Sequence, residues 1–77
     1  MKIYINDTGG NEWAYDTRQH RFYLNDPEVE KELGETNGEI CDVKKLRSFI
    51  IGPNAAWDFD QNHALNFLQI VYAVTER

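Results

Sequence analysis

The chain is poor in the residues that staple small proteins. It has one cysteine, Cys41, and two histidines, His20 and His63. One cysteine can form no internal disulfide, and these three side chains fall short of the common structural zinc sites, which draw on four Cys or His ligands. No apolar run approaches the roughly 18 residues that suggest a membrane span. The first residues, Met1-Lys2-Ile3-Tyr4-Ile5-Asn6, turn polar at once and show no apolar core of a secretion signal. Basic residues are also scarce. The 8 Lys and Arg stand against 13 Asp and Glu, for a net charge of −5, so the basic face that marks an autonomous nucleic-acid binder is missing. These absences predict a cytoplasmic protein with no direct nucleic-acid or membrane contact.

The 77 residues are 42% hydrophobic and 13% aromatic, which suits a folded domain. The length suits a single small domain over 1–77. Such a domain buries only about 60–65% of its unfolded surface, so its stability is marginal. Residues 2–6, 12–16 and 20–24 alternate in polarity and are joined by short polar turns, the signature of an antiparallel meander. One face of that sheet would carry Ile3, Ile5, Trp13, Tyr15, Phe22 and Leu24, and the other Tyr4 and Tyr23. Asp26 and Pro27 begin a short helix as N-cap and first residue. Val29 and Leu33 would dock it, and Gly34 would end it. Residues 35–39 read as a solvated loop. Asp42 can cap a second helix over 43–51, with Val43, Leu46, Phe49 and Ile50 on one stripe and Gly52-Pro53 as the stop.

Residues 53–60 form a connector, and Asp58 or Asp60 caps a last helix over 61–75. Asn62, Asn66, Gln69 and Glu76 make a narrow polar stripe on it, with Ala73 in the gap. Leu65, Phe67, Leu68, Ile70, Val71, Tyr72 and Val74 cover the rest. Such a helix must be covered on more than one side. Segments 46–51 and 67–75 also admit a strand reading, because Phe49-Ile50-Ile51 and the β-branched residues near the C-terminus fit one; the helix is preferred for both. The predicted class is α+β: a three-stranded antiparallel meander, then two short helices and a long apolar C-terminal helix packed on one sheet face. Trp13, Phe22, Leu65, Leu68 and Val71 should share the core.

Chemistry-bearing motifs are few. Cys41 with a histidine base is the one nucleophilic pairing the composition offers, but Glu39 and Asp42 flank the thiol and disfavour the thiolate. Asp58-Phe59-Asp60 lacks the distal glutamate of a calcium loop. Gly9-Gly10 lacks the lysine and following helix of a phosphate loop. Asn6-Asp7-Thr8 matches a glycosylation sequon, which matters only in a secreted chain. No catalytic residue, metal ligand or cofactor site emerges, and the chain is expected to act without catalysis.

Charge and aromatic placement say more. Between Glu28 and Asp42 stand six acids (Glu28, Glu30, Glu32, Glu35, Glu39, Asp42) and one lysine, Lys31. Carboxylates along a rigid edge present a field like that of a nucleic-acid backbone to a basic surface. Glu28, Glu32 and Glu35, extended by Glu39 and Asp42, are the predicted contact edge. Trp57 and Phe59, in the connector, either tuck into the core and pin that connector or stand out as aromatic anchors, and as anchors they join the candidate contact residues.

In size, acidity, aromatic content and lack of a catalytic set, the chain resembles small phage or mobile-element inhibitors, such as anti-CRISPR and anti-restriction proteins. The likeness is of type and rests on no motif. It implies a protein partner, specifically a basic nucleic-acid-binding protein of a host defence system, met as monomer or homodimer. Two readings from other classes stand beside it. One is a small accessory or antitoxin-like subunit that dimerises or binds a cognate protein through its apolar last helix. The other is a small enzyme using Cys41 with a histidine.

Overall fold

A computed structural model describes residues 1–52 and 58–75. The N-terminal half is the predicted meander, with β1 at Lys2–Asn6, β2 at Glu12–Asp16 and β3 at Arg21–Leu24. β2 pairs antiparallel with both neighbours, Ile5 facing Trp13 and Trp13 facing Leu24. Alternation in sequence becomes alternation across the sheet, because successive side chains in a strand point to opposite faces. Ile3, Ile5, Trp13, Tyr15 and Phe22 are buried on the inner face. Burying one such side chain contributes about 1.5–3 kcal/mol. Trp13 and Phe22 stack with centroids 5.2 Å apart.

Both reversals are held by aspartate. In the β1–β2 turn, the Asp7 carboxylate accepts from the Asn11 backbone N–H at 2.9 Å and from the Trp13 indole N–H at 3.0 Å. The indole bond is the main reason its carboxyl titrates below the usual range. In the β2–β3 turn, Asp16 accepts from the backbone N–H groups of Arg18 and Gln19. His20 closes that turn at φ 52°, so β3 begins at Arg21, one residue later than the alternation suggests.

α1 spans Pro27–Leu33, with the Asp26 carboxylate accepting from the Glu28 backbone N–H and Gly34 at its C-terminus. The expectation that Val29 and Leu33 both dock α1 holds only in part. Val29 is half-buried, whereas Leu33, about 6 Å further along the axis, is 51% exposed. α1 has no buried residue.

The predicted loop over 35–39 is more structured than its composition suggests. Gly34–Thr36 form a 3-10 turn, and a fourth strand, β4 at Glu39–Ile40, pairs antiparallel with Arg21 and Phe22 of β3. The sheet order is therefore β1-β2-β3-β4. A pairing of two residues is too short to show periodicity. What creates it is Gly38, at φ 88°, where an added Cβ would collide with the Phe22 carbonyl oxygen and with Tyr23.

α2 spans Val43–Ile50, capped by the Asp42 carboxylate, which accepts from the Lys45 backbone N–H. α3 spans Gln61–Thr75, and the Asp60 carboxylate accepts from the His63 backbone N–H at 3.1 Å. Both are helices, which resolves the strand alternatives. α3 lies across β1 on the inner face and touches α2. Ala64, Phe67, Leu68 and Val71 are its buried stripe, at the spacing of one helix face. Leu65, expected in the core, is instead 44% exposed, and Ile70 is 51% exposed. At 3.6 residues per turn these two lie about 110° to either side of the stripe's centre, beyond the reach of the sheet. The fold is α+β, with four antiparallel strands and three α-helices among the described residues.

Candidate partner-binding site

The acidic segment is built outward from β3. Arg21 is the pin. Its guanidinium lies 4.1 Å from the centre of the Tyr23 ring, donates to the backbone carbonyls of Gly34 and Asn37 at 3.4 Å each, and pairs with Glu30 at 3.6 Å. Asn37, itself buried, donates its side-chain amide to the Leu24 carbonyl at 2.9 Å. Together with the close approach of Gly38 to β3, these bonds hold 34–40 against the sheet through backbone and polar contacts. Neither Arg21 nor Asn37 drew notice in the sequence. The legible signal was Asn37-Gly38, a turn dipeptide with a mechanism.

The predicted contact residues divide into three groups. Glu28 and Glu32 are exposed, one turn apart on α1, and Glu35 is exposed in the 3-10 turn that follows. None of these three side chains has an ion-pair partner among the described residues. Glu39 and Asp42 are exposed but engaged. Glu39 pairs with the Lys45 ammonium at 3.5 Å, and Asp42 accepts from the Lys45 backbone N–H at 2.8 Å. The third group is the connector. Trp57 lies outside the described residues. Phe59 is half-buried and turns inward, 6.2 Å from Trp13 and 6.3 Å from Phe22 between ring centres. Its ring serves the core instead of standing out as an anchor, because the aromatic inner face of β2 and β3 offers it more apolar contact than solvent does.

The outer face of the sheet is less open than the sequence implied. Tyr4, Ala14 and Tyr23 lie in one cross-strand row. Tyr4 is 51% exposed, but Tyr23 is 2% and Ala14 0% exposed. The cations of Lys2 and Arg21 lie over the Tyr23 ring, so only Tyr4 remains presented. On the inner side, a mainly apolar cleft of about 380 Å³ is lined by Trp13, Phe22, Leu24, Val29 and Phe49 together with Asn37, Gly38 and Glu39. The acidic segment thus borders an apolar recess.

Cys41 is 3% exposed. Burial pushes its thiol up to about 11, with Lys45 opposing and Asp42 and Glu39 adding to the rise, so it stays protonated at neutral pH. Its carbonyl accepts from the Tyr15 hydroxyl at 2.9 Å, and Tyr15 stands 3.5 Å from the His20 ring. Burial likewise pushes the Tyr15 phenol up to about 12. His63 is exposed in the first turn of α3, 3.9 Å from Asp60. Among the described residues no group of three or more His, Cys, Asp or Glu is placed to hold a metal ion, and no helix is long and apolar enough to cross a membrane. No family model, no curated protein and no solved structure matches the chain.

Proposed function

We propose that this protein is a non-catalytic binding module whose acidic segment docks on a basic, nucleic-acid-binding surface of a protein partner. The observation that supports the reading is a tethered backbone under exposed carboxylates. Glu28, Glu32 and Glu35 are exposed and have no ion-pair partner among the described residues, while the chain that carries them is tied to β3 through Arg21, Asn37 and Gly38. Charges held in place before contact lose little conformational freedom on binding, and complementary fields accelerate encounter. Blocking a surface that binds phosphates needs no chemistry, only a competing array of anions. An inhibitor of the anti-CRISPR or anti-restriction type would work in this way.

The test begins with a partner captured from host lysate. Its association with the parent and with the Glu28→Lys/Glu32→Lys double variant is then followed at low and moderate salt. The on-rate for the parent should fall as salt rises, because screening shortens to about 8 Å at physiological ionic strength. The variant should bind far more weakly, and nucleic acid should compete with the parent for the partner. Equal affinity of parent and variant at both salts would rule the reading out.

A further inference from the structure

The described residues of α3, Gln61–Thr75, include no Asp, Glu, Lys or Arg, although these make up 27% of the chain. A stretch of that length in an ordinary globular protein holds about four. The buried stripe explains part of the lack. It does not explain the solvent side, where a surface helix places its charges. There Asn62, Asn66, Gln69 and Ala73 are exposed and follow one another at intervals of four, three and four residues, the spacing of a helix–helix seam. Leu65 and Ile70 flank this seam, 44% and 51% exposed. Depletion of charge is what distinguishes the centre of a protein interface from ordinary surface.

We propose that this face of α3 is a homodimer seam, packed against α3 of a second copy about a two-fold axis. Electrostatics selects the occupant. Each copy carries −5, so two copies repel in most orientations, and most strongly where Glu28, Glu32 and Glu35 would meet their equivalents. Between the described residues Gln61–Thr75 of the two copies no carboxylates oppose one another. A two-fold contact sets the same patch on both sides, and an amide is its own complement, since it carries both donors and an acceptor. Asn62, Asn66 and Gln69 can therefore pair with amides of the other copy, as carboxylates or ammonium groups could not. A strongly charged partner would find nothing here to recognise. The helix is about 22 Å long and about 10 Å wide, a smaller footprint than the roughly 800 Å² per partner of a standard interface. The dimer is thus one that dissociates on dilution.

Sedimentation equilibrium of the full chain, from micromolar to millimolar concentration and at low and high salt, tests this. The average mass should climb from 9.0 kDa towards twice that value, and added salt should tighten association by screening the repulsion between copies. Asn66→Glu and Ile70→Glu each place a carboxylate in the seam of both copies. Each should raise the dissociation constant about tenfold or more. Circular dichroism and the unfolding midpoint should stay at parent values, since both positions are exposed. Glu28→Lys/Glu32→Lys should leave the dimer in place. A chain that stays at 9.0 kDa at millimolar concentration overturns the proposal. So does a dimer indifferent to both α3 variants, or one abolished by the Glu28→Lys/Glu32→Lys change.

Discussion

Residues 28–42 and residues 61–75 are each fifteen long, and the first stretch carries seven charged side chains while the second carries none. They are also fastened differently. α3 is held by apolar burial, with Ala64, Phe67, Leu68 and Val71 against the sheet and α2. The acidic segment has no buried side chain in α1 and is held by Arg21, Asn37 and a glycine pressed against β3. Apolar burial does not depend on ionic screening and needs no charge on the far side of α3. Polar pinning needs few side chains, so most of the segment is free to carry charge. The contrast shows how a small acidic chain can gather charge on one surface and leave it off another.

The comparison breaks hardest at Leu68. Leu68→Ala empties a site that is 3% exposed and should cost about 2–5 kcal/mol, a large share of a small domain's stability. Thermal unfolding reads this directly, and an unchanged midpoint would mean that apolar burial does not hold α3. The matching strike on the acidic segment is Gly38→Ala. Its φ of 88° and the collision with Phe22 and Tyr23 should cost about 1–3 kcal/mol from strain. Amide exchange should show the loss as faster opening of β4 and the 3-10 turn, with α3 still protected. Uniform loosening of both regions would show that the two are not fastened independently.

A smaller effect should follow alkaline pH, through Cys41 at the end of the acidic segment and Tyr15 of β2, whose hydroxyl donates to the Cys41 carbonyl. Tyr15 and Cys41 are both raised by burial, to about 12 and about 11, from ordinary values of 10.0 and 9.0. The unfolded chain therefore loses these protons first, and the folded chain binds more protons above pH 9.0. Stability should be unaffected by either group at neutral pH and should fall as pH rises from about 9 towards 12. Denaturant midpoints measured along that range check the sign. In Cys41→Ala the fall should begin nearer 10.0, the ordinary value for tyrosine. The smallest change in stability belongs to Glu28→Lys/Glu32→Lys. Both sites are exposed, so the midpoint should move by no more than about 0.5 kcal/mol per site, even as binding to a basic partner collapses.

Local signals were legible wherever one residue type has one strong structural use. Asp26 and Asp42 read as caps, as did Asp58 or Asp60 for the last helix; the carboxylates of Asp26, Asp42 and Asp60 each accept a backbone N–H at the start of a helix. The alternation through Ile3, Ile5, Trp13, Tyr15, Phe22 and Leu24 read as an inner sheet face; the first five are buried and Leu24 is half-buried against them. The acidic candidates read as exposed carboxylates, and Glu28, Glu32, Glu35, Glu39 and Asp42 are all exposed. Their engagement was not legible, because Lys45 meets Glu39 across six residues and two elements, a relation no local pattern encodes.

By itself the sequence determined what short-range physics can determine: the strand rows, the helix caps, the helical state of 61–75 and the lack of Asp, Glu, Lys and Arg over that stretch. These follow from periods of two and 3.6 residues and from side chains that bond their own neighbourhood. Only the tertiary structure decided that Leu33 and Leu65 face solvent, that Phe59 turns inward and that Arg21 binds the carbonyls of Gly34 and Asn37. Each of those outcomes depends on how far a neighbouring element extends in space, and the residues involved carry no local mark of it. Whether an apolar side chain is covered is settled by what lies across from it, and that is a property of packing, not of the run of residues in which it sits.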